Sequence, residues 1–479
     1  MRIFCTLISM AVLATAAPLA AAQVPDALRT AVQHAVDANP EVQTRWFAFR
    51  AAGAEQDSLR AGFRPSVDLA VGAGRAVQKL PGQSSRSFNR YGASLTLSQM
   101  LYDGFFTRNQ VSRFGHVHML RYFELVGDAE RVALETFGAY VDVLRYRDLV
   151  QFAKENYVEH KVVYDQIVER TRSGIGRGVD LELATGRLAL AESNLLTEVA
   201  NLHDVSARYV RIVGEQPAET LAAMDVGMLD AELPASVAQA LESAYVSNPS
   251  LRAAVANIRA GQDLIDTRRA AFHPRVDLRV RQELDRNLER LSGDSREGAI
   301  ELILNYNLYR GGGDQARLRQ AGEELNAARD TREKVCRDVR QTISIAYNQV
   351  HTAREQLRYL DQHQLSMAKA REAYRQQFEI GQRTLLDLLD GENEYFDARR
   401  AYANATYDQI LAQARSLAGM GQLMQALGVA RGDLADERDL PQDGAYLDPD
   451  SICPPHAPQM LRIDKEALLD ETLRAIGRR

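Results

Sequence analysis

The sequence predicts a mainly α-helical protein with a small β component that crosses a membrane, built as two copies of one unit. Three observations carry this reading. An export-type start is followed by no apolar run near the ~20 residues that a membrane-spanning helix needs. No proline occurs between Pro81 and Pro217 or between Pro274 and Pro441, so helices far longer than those of a compact domain are permitted there. The prolines themselves recur: Pro25, Pro40 and Pro65 return as Pro234, Pro249 and Pro274, each 209 residues later.

Residues 1–22 read as a signal peptide: Arg2, then apolar Ile3 to Ala14, then Ala20-Ala21-Ala22 before Gln23. The first unit spans 23–213, a linker 214–235, the second unit 236–430, and a C-terminal tail 431–479. Around the repeated prolines, Asn39-Pro40 matches Asn248-Pro249, and Phe63-Arg64-Pro65 matches Phe272-His273-Pro274. Ile175-Gly176 matches Ile380-Gly381 at an offset of 205. Such a unit is too long for a solenoid repeat. Each unit opens on a helical segment, Asp26 to Leu59 or Ser236 to Ala271. Two strands follow, about 66–74 and 91–101 in the first unit and 275–283 and 298–309 in the second. A very long helix, a tight turn and a returning helix complete it; in the second unit the helices are 312–380 and 384–428.

The long helix of the second unit has a seam. Val335, Val339, Ile343, Ala346, Val350, Ala353, Leu357 and Leu360 recur at spacings of three and four, as in a coiled coil. At ~1.5 Å per residue the helix would reach on the order of 100 Å. The strands alternate: Ile300, Leu302, Leu304, Tyr306 and Leu308 are apolar while Glu301, Asn305 and Asn307 lie between them. Val276, Leu278 and Val280 alternate with Asp277, Arg279 and Arg281, and Leu95 and Leu97 with Ser94, Thr96 and Ser98. Alternation of this kind suits a membrane barrel with lipid outside and water inside, but taken strand by strand it suits an ordinary half-buried hairpin better. Export, the missing membrane helix and the occurrence in both units favour the barrel. Four strands cannot close one, since the smallest have about eight, so several copies must contribute. Tyr306 and Tyr309 fit either an interfacial aromatic belt or core packing.

The turn between the second unit's helices gathers the most chemistry. Gly381 is placed to end the first helix in the left-handed conformation, with Gly176 its counterpart. Arg383, Asp387 and Asp390 then share one helix face, which an ordinary exposed ion pair would also explain. His116 and His118, two residues apart on a helix, point to different faces and make no metal site. Gly174 to Gly178 follows no strand, so it is no phosphate loop. No nucleophile–base pair, metal cluster or cofactor motif is present, which points away from an enzyme and assigns no cofactor. A net charge of −6 argues against nucleic acid. Beyond Cys5 only Cys336 and Cys453 remain; a bridge between them is not expected, because Cys336 falls inside a helical pattern. The tail, with Pro441, Pro449, Pro454, Pro455 and Pro458, reads as irregular, with a short amphipathic helix at Leu461 to Ile476.

Residues 374–407, above all Phe378-Glu379-Ile380-Gly381, Arg383 and Leu385 to Asp390, together with Asn305 to Gly312, resemble the TolC-like outer-membrane factor family. The likeness is greatest to members that serve type I secretion, including those exporting large adhesins. It implies a homotrimer in the outer membrane with a periplasmic extension. Each subunit would give four strands to one twelve-stranded barrel, and its helices would build a periplasmic tunnel. The implied partners are a periplasmic adaptor, an inner-membrane ABC transporter or other pump, an exported polypeptide and outer-membrane lipid. By the same resemblance Asp387 and Asp390 line a constriction and Arg383 is a latch. Its partner is Asp180, or Glu182 with the gap placed differently. Phe378 stands where a latch tyrosine would be, so no hydroxyl is available there. Small-molecule or metal efflux by the same kind of channel is the first alternative, and a periplasmic coiled-coil adaptor without a barrel is the second.

Overall fold

The computed structural model describes residues 24–79, 81–82, 84–286, 293–432, 453 and 464–476. The signal segment 1–22 and most of the tail lie outside them. In chain order the elements are α1 (Asp26–Ala38), α2 (Pro40–Arg60), β1 (Ser66–Gln78), β2 (Arg86–Tyr102), α3 (Phe106–Arg172) and α4 (Gly178–Val213). Then come α5 (Val237–Ser247), α6 (Pro249–Arg269), β3 (Arg275–Arg286), β4 (Asp294–Asn305), α7 (Gly313–Glu379) and α8 (Leu385–Met420). Short α9 (Leu423–Ala426) and α10 (Lys465–Ala475) follow.

Each opening helical segment is two helices, not the single helix the sequence suggested. Asn39 and Asn248 are extended, because the residue before a proline is kept out of the helical region. Pro40 and Pro249 then occupy the first turn of the next helix, where a missing N–H costs nothing. Each asparagine caps that helix: Asn39 accepts from the Glu41 amide at 2.9 Å and Asn248 from the Leu251 amide at 3.1 Å.

The strands form one antiparallel sheet in the order β1-β2-β3-β4. Val67, Leu97, Val280 and Ile300 stand in one row across it, and Gln99, Leu278 and Leu302 in another. The face they share also carries Leu69, Val71, Leu95 and Leu304. The opposite face carries Asp68, Ser94, Thr96, Arg279, Arg281, Glu283 and Glu301. Val71 is 76% exposed and Ile300 78%, so the apolar face is open to the surroundings in the single chain. β4 ends at Asn305, short of the expected 309, because its partner strand begins at Arg275, opposite Asn305. Tyr306 and Tyr309 therefore lie past the sheet, and their exposure removes the core-packing alternative within this chain.

α3 and α7 each run 67 residues, about 100 Å at ~1.5 Å per residue. α4 and α8, 36 residues each, return along them, and α3 also packs on α6 and α8. No described helix is long and apolar enough to cross a membrane. The core forms where the shorter helices clasp the rods: Leu125, Phe137, Tyr140, Leu251, Ile343, Leu417 and Met420 are fully buried. The α7 seam is buried at Val339, Ile343, Ala346 and Val350 and only half-buried at Ala353, Leu357 and Leu360.

Cys336 and Cys453 are joined in a disulfide, against the sequence expectation, with Cα atoms 5.7 Å apart. Position inside a helix is no obstacle, since the sulfur of Cys336 points into the core that Cys453 enters from the tail. Closing a loop of this size stabilises a chain by on the order of 4–5 kcal/mol. Further on, α10 is exposed, and Lys465 donates to the Tyr359 hydroxyl at 2.8 Å.

Candidate functional site

The α7–α8 turn is built from local chemistry. α7 stops at Glu379, and Gly381 takes φ 77°, which lets the Gly381 amide reach the Phe378 carbonyl at 3.0 Å and the Gln382 amide reach Gln377 at 2.8 Å. Thr384 caps α8. Its hydroxyl accepts from the Asp387 amide at 3.2 Å, while the Asp387 carboxylate accepts from the Thr384 hydroxyl at 2.7 Å and amide at 3.1 Å. These bonds, with Arg383 at 3.6 Å, hold the Asp387 carboxyl below its usual range. Arg383 also donates to Gln377 at 3.1 Å and lies 4.7 Å from the centre of the Tyr374 ring.

In the α3–α4 turn the left-handed residue is Gly174, at φ 76°. Gly176 serves a different need: its amide bonds the Arg170 carbonyl at 2.8 Å, and a Cβ there would sit 2.8 Å from the Thr171 nitrogen. Asp180 and Glu182 lie at the start of α4, and neither pairs with Arg383 within the chain.

Phe378 is a packing residue. It is buried with Leu385, Leu388 and Leu389 against Val163, Ile167 and Ala184, and the Arg170 guanidinium lies 5.1 Å from its ring centre. Phe378→Ala should cost about 3–5 kcal/mol locally. Amide exchange across 385–389 is then expected to rise by on the order of a hundredfold; unchanged exchange would show that the cluster does not hold the tip.

Asp390 is held by an ion pair with Arg187 of α4, which the sequence reading missed. Similar pairs continue up the rods. Arg375 bonds both Glu159 and Glu392 at 2.8 Å, and Arg371 lies 3.5 Å from Glu392, which is 4% exposed. Arg399 meets Glu155 at 2.5 Å, and Arg400 pairs with buried Glu198. The two helical hairpins are thus joined by charge as well as by apolar packing. His116 and His118 separate as expected: His116 bonds Asp263 at 2.8 Å, while His118 stacks on Phe49 at 4.3 Å.

The model of the family described as "Outer membrane efflux protein" matches residues 31–215 and 240–428. The chain is 26% identical over 368 residues to "Outer membrane efflux protein BepC" of Brucella suis, covering 76% of this chain and 78% of that protein. It is 23% identical over 340 residues to "Alkaline protease secretion protein AprF" of Pseudomonas aeruginosa, 70% of each. The structure of the Campylobacter jejuni CmeC outer membrane channel superposes with a TM-score of 0.74 at 14% identity, covering 88% of this chain and 94% of that one. These likenesses bear out the TolC-like resemblance and set aside the periplasmic adaptor. With both halves matched, the chain belongs to the outer membrane efflux protein family: it is an outer-membrane channel protein with a periplasmic tunnel, and not an enzyme.

Proposed function

We propose that three copies of the chain form one passive duct through which a type I secretion system passes an exported polypeptide. An inner-membrane ABC transporter supplies the cargo, and a periplasmic adaptor joins transporter to duct. The observation that carries the reading is the sheet, apolar on one face, polar on the other, and unpaired at the outer edges of β1 and β4 among the described residues. Its strands lead into rods of about 100 Å, so subunits that pool their sheets also pool their helices into a tunnel. Three copies give twelve strands, enough to close a barrel.

Polypeptide cargo is supported by the likeness to AprF, whose name is that of a protease secretion protein. The likeness to BepC, named for efflux, supports the second reading, a channel for small molecules or metal ions. Deleting the gene separates them. Type I secretion is expected to show as at least a tenfold loss of one polypeptide from the medium, with drug and metal susceptibility within twofold of the parent. The opposite pattern would establish efflux.

In this duct Asp387 and Asp390 of each copy line the narrow periplasmic mouth. Six like charges resist tight closure unless cations or protons intervene. Arg383 is the latch. Its contacts inside the chain are Gln377, Tyr374 and Asp387, so its cross-helix partner, Asp180 or Glu182, is assigned to a neighbouring copy.

A further inference from the structure

Cys336 and Cys453 are each 0% exposed, and both belong to the main core. The bond spans 117 residues, and the covalent loop it closes contains lower α7, the tip turn and all of α8. Packing of α7 changes just below this level. Cys336, Val339, Ile343, Ala346 and Val350 are buried, whereas from 351 to 377 no residue is, a stretch of about 40 Å at ~1.5 Å per residue. The tail meets this lightly held stretch again, where Lys465 donates to Tyr359.

We propose that Cys336 and Cys453 are an oxidation site that fastens the C-terminal tail into the core and anchors α7 covalently above the segment able to move. Two thiols lose two protons and two electrons to the disulfide of an exported thiol oxidase, which leaves as a dithiol, and the Sγ–Sγ bond forms. Exchange has to precede final closure of the core, because both sulfurs end up out of reach of solvent thiols. Above the bond, α7 is anchored by apolar burial and by a covalent link. Below Val350, α7 keeps half-buried seam residues and the ion pairs of Arg371 and Arg375 until Phe378, so that lower stretch is the part free to uncoil.

The test uses purified full-length protein in detergent and involves no transport, so its failure would leave the conduit reading standing. Denatured without reductant, the protein is expected to show no reaction of Cys336 or Cys453 with a maleimide, and reaction of both after reduction. With a protease site inserted between Gly432 and Cys453, the cut C-terminal fragment should stay attached until reductant is added. In Cys336→Ala with Cys453→Ala, amide exchange over 336–350 is expected to rise at least tenfold while most of α3 changes less than twofold. Should that variant fail to assemble, the cleaved wild-type protein before and after reduction supplies the same comparison. Reactive thiols in the unreduced protein, fragment release without reductant, or unchanged exchange over 336–350 would each overturn the proposal.

Discussion

Replacing Asp387 and Asp390 together by alanine is expected to raise at least tenfold the concentration of divalent cation that half-blocks single-channel current in a planar bilayer. The variant removes all six carboxylates from the proposed mouth, and a ring of like charge is what concentrates cations there. The structure adds a control. Asp387 also completes the capping box of α8, so its loss to alanine should weaken that helix start. Asp387→Asn with Asp390→Asn keeps a side-chain acceptor and removes only charge. Both pairs should lose block equally; loss with alanine alone would trace the effect to the helix start and remove the constriction assignment. The pH dependence has a defined sign. Hydrogen bonds to Thr384 depress the Asp387 pKa, so its charge, and the cap that depends on it, are present above the ordinary carboxylate range and persist below it. Block should therefore decline only at pH values lower than an unperturbed aspartate would give.

Arg400→Met should be the most destabilising single change among the ion pairs. Its partner Glu198 is 3% exposed at the side chain and keeps one other bond, from Asn201 at 3.2 Å. Leaving a buried charge without its counter-charge costs about 3–5 kcal/mol, a large fraction of a protein's stability. Adding Glu198→Gln removes the stranded charge and should recover more than half of the loss, measured as a denaturant midpoint. By contrast Arg383→Ala, at a side chain 40% exposed, should lower the unfolding free energy by less than about 1 kcal/mol. If the two substitutions cost the same, the buried pairs do not hold the hairpins together.

Much of the fold was legible because it rests on local rules. Missing prolines permitted the rods, period-two alternation marked the strands, and Gly381 marked the turn. Boundaries were read less well where a partner decides them. Tyr306 to Leu308 alternate like a strand, yet β3 starts too late to pair with them. Asn39-Pro40 and Asn248-Pro249 are legible as marks of the repeat, but the helix break and cap that each makes are not part of the sequence reading. The candidate site was legible only along one helix. Arg383 and Asp387 are four residues apart and meet, but Arg187 and Asp390 are 203 apart and their pairing is a product of packing. The disulfide was missed for the same reason: helical position says where a cysteine points on its own helix, not what the tail brings to it.

The open sheet also has a bearing on how the chain reaches its destination. Among the described residues, β1 and β4 each present an outer row of unpaired backbone donors and acceptors, and the face beside them is greasy. A newly exported copy that formed this sheet in water would be prone to stick edge to edge with others in disordered clumps. In the proposed duct, the expected route is an escort that shields strand-forming segments until they reach lipid, with barrel closure late.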